Sequence, residues 1–292
     1  MEAQETIKSW GQLYHAEAVH EAASDIFSAV RPANREILVI RCFLITVSLL
    51  TLYALFTLDY RSVDIPKALM GTVRNFETMF FHPGTQRLRL ESAVYEVLIT
   101  MGLAFLTTLF GGVIALFLGL LGARNLAPEG LTRIVRGFVA FIRAVPTILW
   151  VLIFAVAAGL GSAAAVIGMT FHSISYLTKA YSESFEELDR SVIEALSASG
   201  ADWWQIVFQA VIPSSATYLL SWTFIRFEIN FANAIAMGAA AGAAGIGFDL
   251  FMAGGYYFDL KEVGLITYII LAFAIILEMI ATGMKSRIHR KA

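Results

Sequence analysis

The chain has 292 residues, of which 58% are hydrophobic and only 15% charged, whereas a soluble domain of this size carries roughly a quarter charged residues. A formal charge of -2 leaves no broad basic field for a nucleic-acid partner. The lone cysteine, Cys42, can form no intrachain disulfide and reads as a small buried hydrophobe.

The charge deficit falls in blocks, and the chain reads as an all-α integral membrane protein of about six transmembrane helices. Residues 1–30 are polar and lack the apolar core of a cleavable signal peptide, so insertion is expected to be directed by the spans themselves. Segment 1–35 is read as cytoplasmic. Ile7, Trp10, Leu13 and Tyr14 either form one side of an interfacial helix or belong to a partly ordered polar tail.

Only a helix satisfies its own backbone across about 30 Å of hydrocarbon, which takes roughly 20 apolar residues. Span one is expected from Ile37 to Leu58, with Arg41 near its start able to snorkel. It falls, with an extracytoplasmic loop, in segment 36–91. A core transmembrane region of 92–284 follows. Span two is the uncharged run Val97–Ala123, whose Gly102, Gly111, Gly112, Gly119 and Gly122 allow close helix approach. The uncharged stretch Ala144–Thr178 suits two short spans, at 137–158 and 163–181, reversing at Gly159-Leu160-Gly161-Ser162. Span five is expected at 214–237 and contains Arg226 and Glu228. Residues 238–262 read as a loop or partial helix. Span six is Val263–Met284, followed by a basic cytoplasmic tail at 285–292.

Six spans put both termini on one side. Lys285, Arg287, Arg290 and Lys291, with Arg124, Arg133, Arg136, Lys179 and Arg190 in the loops of that side, make it cytoplasmic by the positive-inside bias.

Between spans four and five, residues 186–202 predict a short helix over Ser191–Ala198, opened by Glu186, Glu187 and Asp189 and stopped at Gly200. Pro213 stands near the start of span five, where its missing N–H costs little. The pattern suits a helix lying along the cytoplasmic face, offering Glu194 to a partner and allowing close approach at Ala195 and Gly200; an ordinary linker helix fits the pattern equally.

This segment resembles the cytoplasmic loop of bacterial ABC importer permeases, E-A-A, three residues, G, nine residues, I-x-L-P. Glu194, Ala195, Gly200 and Pro213 fall on that pattern with its spacing intact, while Leu196, Ala210 and Ile212 replace the remaining positions. Gly122-Ala-Arg-Asn-Leu-Ala-Pro128, Arg143-Ala-Val-Pro-Thr147, His172-Ser-Ile-Ser175, Phe227-Glu-Ile-Asn230 and Gly242-Ala-Ala-Gly-Ile-Gly247 narrow the resemblance to phosphonate-importer permeases, over about residues 92–288. Ala232 departs from it, since the family commonly carries a basic residue there.

The resemblance implies a type I ABC importer permease fold in the bacterial inner membrane. It implies a second copy of the chain, two ATP-binding subunits, and an extracytoplasmic phosphonate-binding protein. The chain is then a non-catalytic subunit without a cofactor of its own, ATP and magnesium being bound by the partner ATPase. The absence of G-x-x-x-x-G-K-[ST] from the sequence fits that division.

Charges within a span are candidates for function. Arg226 and Asn230 are four apart and share a helix face, with Glu228 pointing elsewhere. Arg226 either faces a watery pathway, where it can fork two bonds to an anion, or pairs with a neighbouring helix or the partner copy. His172 and Ser173 either line that pathway or are satisfied locally. Gly242, Gly245 and Gly247 suit either an outer gate or close packing. The five histidines are too scattered for a membrane-embedded enzyme. A secondary transporter remains an alternative through Glu228, and within the importer class so do phosphite, phosphate and methionine as ligands.

Overall fold

The computed structural model describes residues 35–58, 63–85 and 87–289. The expected interfacial segment with Ile7, Trp10, Leu13 and Tyr14 lies outside them, as do the last three residues of the basic tail. Among the described residues all regular structure is helical. The chain divides into two units, residues 1–68 and 69–292.

In the first unit, α1 (Arg35–Thr57) coincides with span one. Thr46, Thr51 and Thr57 donate to carbonyls one turn back, at 2.8, 2.9 and 2.9 Å. These hydroxyls are thereby satisfied without water. The helix buries no residue, and Cys42 is exposed on it rather than buried as expected. An apolar helix exposed all round is suited to lipid, and there a cysteine counts as another small apolar group.

The second unit contains most of α2 (Ile65–Phe81), then α3 (Leu90–Gly122), α4 (Glu129–Ala144), α5 (Thr147–Ala158) and α6 (Ser162–Glu186). After these come α7 (Arg190–Ala198), α8 (Trp203–Ile206), a π-turn at Val207–Val211, α9 (Ile212–Ala241), α10 (Ile246–Phe251), a π-turn at Met252–Tyr256, and α11 (Leu260–His289). Three described helices, α1, α3 and α11, are long and apolar enough to cross a membrane, or up to five spans if each of two bent pairs counts as one.

One bent pair corrects span three. The expected single helix at 137–158 is instead α4 and α5, bent by 88° at Val145-Pro146. Pro146 disfavours helix at the residue before it and lacks an N–H for the preceding turn. The other pair is α8–α9 with α10 and its π-turn, bent by 53°; α10 is the partial helix expected at 238–262. Helix α6 covers span four but falls outside the span count, because His172, Lys179, Glu183 and its hydroxyls lower its hydropathy. It is largely enclosed by α3, α4, α5 and α9. Its Thr170, Ser182 and Ser184 bond carbonyls of their own helix.

Helices α3 and α6 meet through glycine as expected: a Cβ on Gly111 would stand 2.7 Å from Ser173 Cβ, whereas Gly102 has nothing within 4 Å. The break at Gly242 (φ 63) and Gly245 (φ 116) bends the chain by 53° into α10 through positive-φ conformations that suit glycine.

Helix α2 lies in what the sequence suggested was only a loop. Its C-terminal end docks on α11: Tyr268 Oη donates to Phe80 O at 2.7 Å, Gly84 N to Lys261 O at 3.1 Å, and a Cβ on Gly264 would stand 1.8 Å from Met79 O. Gly264→Ala is therefore expected to destabilise by roughly 1–3 kcal/mol, the range for overfilling packed space. The thermal unfolding midpoint of the purified protein should fall; an unchanged midpoint would show that α2 does not dock here.

Candidate functional site: a buried polar junction and an exposed loop helix

Two places bring the sequence-predicted residues together. The first is the junction of α3, α6 and α9. Arg226 and Asn230, one turn apart on α9, are 1% and 0% exposed and meet Ser173 of α6. Arg226 Nε donates to Ser173 Oγ at 3.0 Å. Asn230 Nδ2 lies 3.0 Å from the same oxygen and donates to Thr108 Oγ1 at 2.9 Å. Thr108 Oγ1 in turn donates to Ala104 O at 2.7 Å. Ser173 Oγ, between Met169 O at 2.9 Å and Asn230 Oδ1 at 3.2 Å, can donate to only one of them at a time.

The guanidinium of Arg226 lies 5.2 Å from the centre of the Tyr176 ring, and its Nη2 has no hydrogen-bond partner. Burying a charge is costly, and an unmade bond from a charged donor adds to that cost. The described residues give Arg226 a hydroxyl and an aromatic face, with no carboxylate in salt-bridge range. His172, half-buried beside it with Nδ1 unpartnered, lies within electrostatic reach of both Arg226 and Arg143. The junction therefore has positive charge and spare donors, a combination that attracts an anion. Glu228, two residues from Arg226, leaves α9 on a different face.

Sequence reasoning missed Thr108 and Tyr176. A threonine in an apolar span signals little because its hydroxyl is usually satisfied by its own helix, and an aromatic at helical spacing usually signals packing.

The second place is the loop between α6 and α9. Asp189 caps α7 by accepting from Ser191 N at 2.9 Å, and those hydrogen bonds hold its carboxyl below the usual carboxylate range. At the other end Gly200 takes φ 86, Gly200 N donates to Ser197 O at 3.0 Å, and Ala201 N to Leu196 O at 3.1 Å. This is a Schellman ending. Asp202 and Gln205 then form a reciprocal capping box that opens α8.

Ile193 and Leu196 pack down on the core cluster of Leu177, Tyr181, Phe185 and Val207, while Glu194 and Ala195 are exposed. Trp203 Nε1 donates to Leu126 O at 2.9 Å, and Glu186, at the end of α6, joins Arg124 N and the Arg136 guanidinium, tying this region to the α3–α4 connection and to α4. Pro213 is exposed in the first turn of α9. The remaining candidates, Gly242, Gly245 and Gly247, sit at the other end of α9. There a Cβ on Gly247 would lie 2.0 Å from Ile235 O, so that position is closely packed.

Residues 111–292 match the family described as "Binding-protein-dependent transport system inner membrane component". The chain is 29% identical over 191 residues to the phosphate-import permease protein PhnE of Mycolicibacterium smegmatis, covering 65% of this chain and 35% of that protein. It is 31% identical over 180 residues to the phosphite transport system permease protein PtxC of Stutzerimonas stutzeri, covering 61% and 65%. The matches thus span about a third and just under two thirds of the two relatives. The fold is similar to a chain of the MetNI methionine ABC transporter in an inward-facing conformation, with TM-score 0.61 at 22% identity over 68% of this chain and 95% of that one. With more than half of its length matched, the chain belongs to the inner membrane component family of binding-protein-dependent transport systems.

Proposed function

We propose that this chain is the permease subunit of an ATP-driven importer. Two copies form the pathway for a phosphonate-type anion delivered by an extracytoplasmic binding protein. Both termini face the cytoplasm, and α7 within segment 186–202 is the coupling helix. Glu194, Ala195, Gly200 and Pro213 form or frame the surface that meets a separate ATPase, which binds the ATP and magnesium.

The observation that carries the anionic substrate class is the unpartnered Nη2 of the buried Arg226 beside His172 and Ser173. In this conformation the guanidinium is enclosed and Tyr176 lies over it, so an anion reaches it when that ring moves aside. Asn230 positions Ser173, and Glu228 borders the same stretch of α9. The glycines at 242, 245 and 247 form an outer gate, in which Gly245 and Gly247 are closely packed while Gly242 has open space around it. The names of the relatives support an oxyanion of phosphorus. A methionine permease also appears among them, at 26% identity to the D-methionine permease MetI of Pasteurella multocida, and keeps that ligand as the second reading.

Proteoliposomes holding this chain, its ATPase and its binding protein test the proposal with phosphonate, phosphite, phosphate and methionine, with and without ATP. ATP-dependent uptake of a phosphonate is the expected outcome. Uptake of another of these ligands would retain the permease and direct attention to Ala232, exposed on α9, the position at which the chain departs from the pattern it resembles. Uptake independent of ATP would overturn the importer.

A further inference from the structure

The mechanism so far leaves one group of cations unused. Arg143, the penultimate residue of α4, stands over the face of α6 that carries Tyr176, Lys179 and Glu183. Two cavities flank this strip and share Arg143, Lys179 and Glu183 in their walls. One, of about 230 Å³, lies among the end of α3, α4 and α6; the other, of about 130 Å³, is lined by Tyr176 and by Trp222 of α9. A water molecule takes up about 30 Å³ in the liquid, so the larger cavity has room for a tetrahedral oxyanion with some of its hydration.

The charges favour such an occupant. Arg136 is committed to Gly122 O and Glu186, and Lys179 is shared with Glu183 at 3.6 Å. Arg143 has no carboxylate within salt-bridge range among the described residues, so the strip retains a net positive charge. An independent feature points the same way: Thr178 lines the larger cavity at 2% exposure, and its hydroxyl has no hydrogen-bond partner. Buried hydroxyls are rarely left without one. Most threonines of this helix bundle bond the carbonyl a turn back, as Thr108 and Thr170 do, so Thr178 keeps a donor for something else.

The strip also has a direction. Tyr176 is the common wall: one face lies over Arg226, and the ring also lines the smaller cavity with Trp222, their centres 6.2 Å apart. From there Lys179 and Ser182 lead one to two helical turns toward the end of α6 from which α7 departs.

We propose that the Arg143–Lys179 trough is a second oxyanion-binding site, which holds the phosphorus oxyanion after it leaves Arg226 and before its release on the side that carries α7. Arg143 and Lys179 are its charged ligands and Thr178 its hydroxyl donor. The assignment rests on the anion-permease reading above. The same chemistry fits the phosphate of an anionic lipid headgroup.

The test measures equilibrium binding of radiolabelled inorganic phosphate to the full chain in nanodiscs of phosphatidylcholine, without the binding protein. Wild type is expected to show a saturable millimolar site. Arg143→Gln should weaken it about tenfold or more, as loss of a guanidinium fork does, and Thr178→Val severalfold. Arg143→Lys, which keeps the charge, should recover part of the affinity and so exclude misfolding as the cause. Arg133→Gln, which removes an exposed cation of the same helix paired with Glu129, should leave the affinity within about twofold, which separates this site from a general effect of charge. Phosphate binding that is indifferent to Arg143→Gln overturns the proposal. If phosphate fails to bind but phosphatidylglycerol is retained by wild type and lost in Arg143→Gln, the occupant is a lipid headgroup and the release role is overturned. Phosphate binding here, combined with no anion uptake by the reconstituted transporter, would retain the site and reject the transport reading instead.

Discussion

Glu194→Arg is expected to abolish ATP-dependent uptake while leaving the protein folded and inserted. Helix α7 is held by Ile193 and Leu196 on its inner side, by the Asp189 cap, and by the Schellman ending at Gly200. Glu194 takes part in none of these and is exposed, so its loss should change stability by less than about 0.5 kcal/mol. At a docking surface the same substitution replaces an attractive charge with a repulsive one, an effect that commonly costs a few kcal/mol. A loss of about 3 kcal/mol lowers affinity more than a hundredfold. The measurement compares uptake by the reconstituted complex with the thermal midpoint of the isolated chain. Unchanged uptake would remove α7 from the coupling path, and a fallen midpoint would show that Glu194 has a structural role after all.

Arg226→Ala is the second large expected effect. A hydrogen bond to a charged group contributes about 1.5–3 kcal/mol, so loss of the guanidinium should slow passage of an anionic substrate by roughly 10- to 100-fold. ATP hydrolysis by the assembled complex should fall much less, because Arg226 lies in the polar junction and not on α7. Arg226→Lys separates charge from geometry: it restores the positive field but not the planar fork that also reaches Ser173. Equal loss of uptake and of basal hydrolysis in Arg226→Ala would instead assign this residue to packing of α6 against α9.

Much of this architecture was legible from hydropathy, because lipid imposes length and apolarity directly on a spanning helix. Helices α1, α3, α9 and α11 lie where uncharged runs or their flanks placed them, and α7 begins and ends within a residue of its expected bounds. Helix α2 was missed although Ile65, Leu69, Val73 and Phe76 recur at helical spacing; the charges between them read as loop. The right angle at Pro146 was missed because hydropathy is blind to direction, and an uncharged run looks the same straight or bent. At the polar junction, the shared face of Arg226 and Asn230 followed from their spacing. Their meeting with Ser173 and Thr108 did not, since it depends on how three helices pack and on the close approach that Gly111 permits.

The π-turn at Val207–Val211 sits between the segment that carries α7 and α8 and the helix that carries Arg226. Such a turn is an α-helix with one residue too many. Absorbing that residue into regular helix would turn everything after it by about 100° and shift it by about 1.5 Å along its axis. Arg226 and Asn230 would then no longer face Ser173. The number of residues in this one turn therefore sets the angular phase of the polar junction relative to α8, and α9 behaves as a shaft whose setting is fixed at its base.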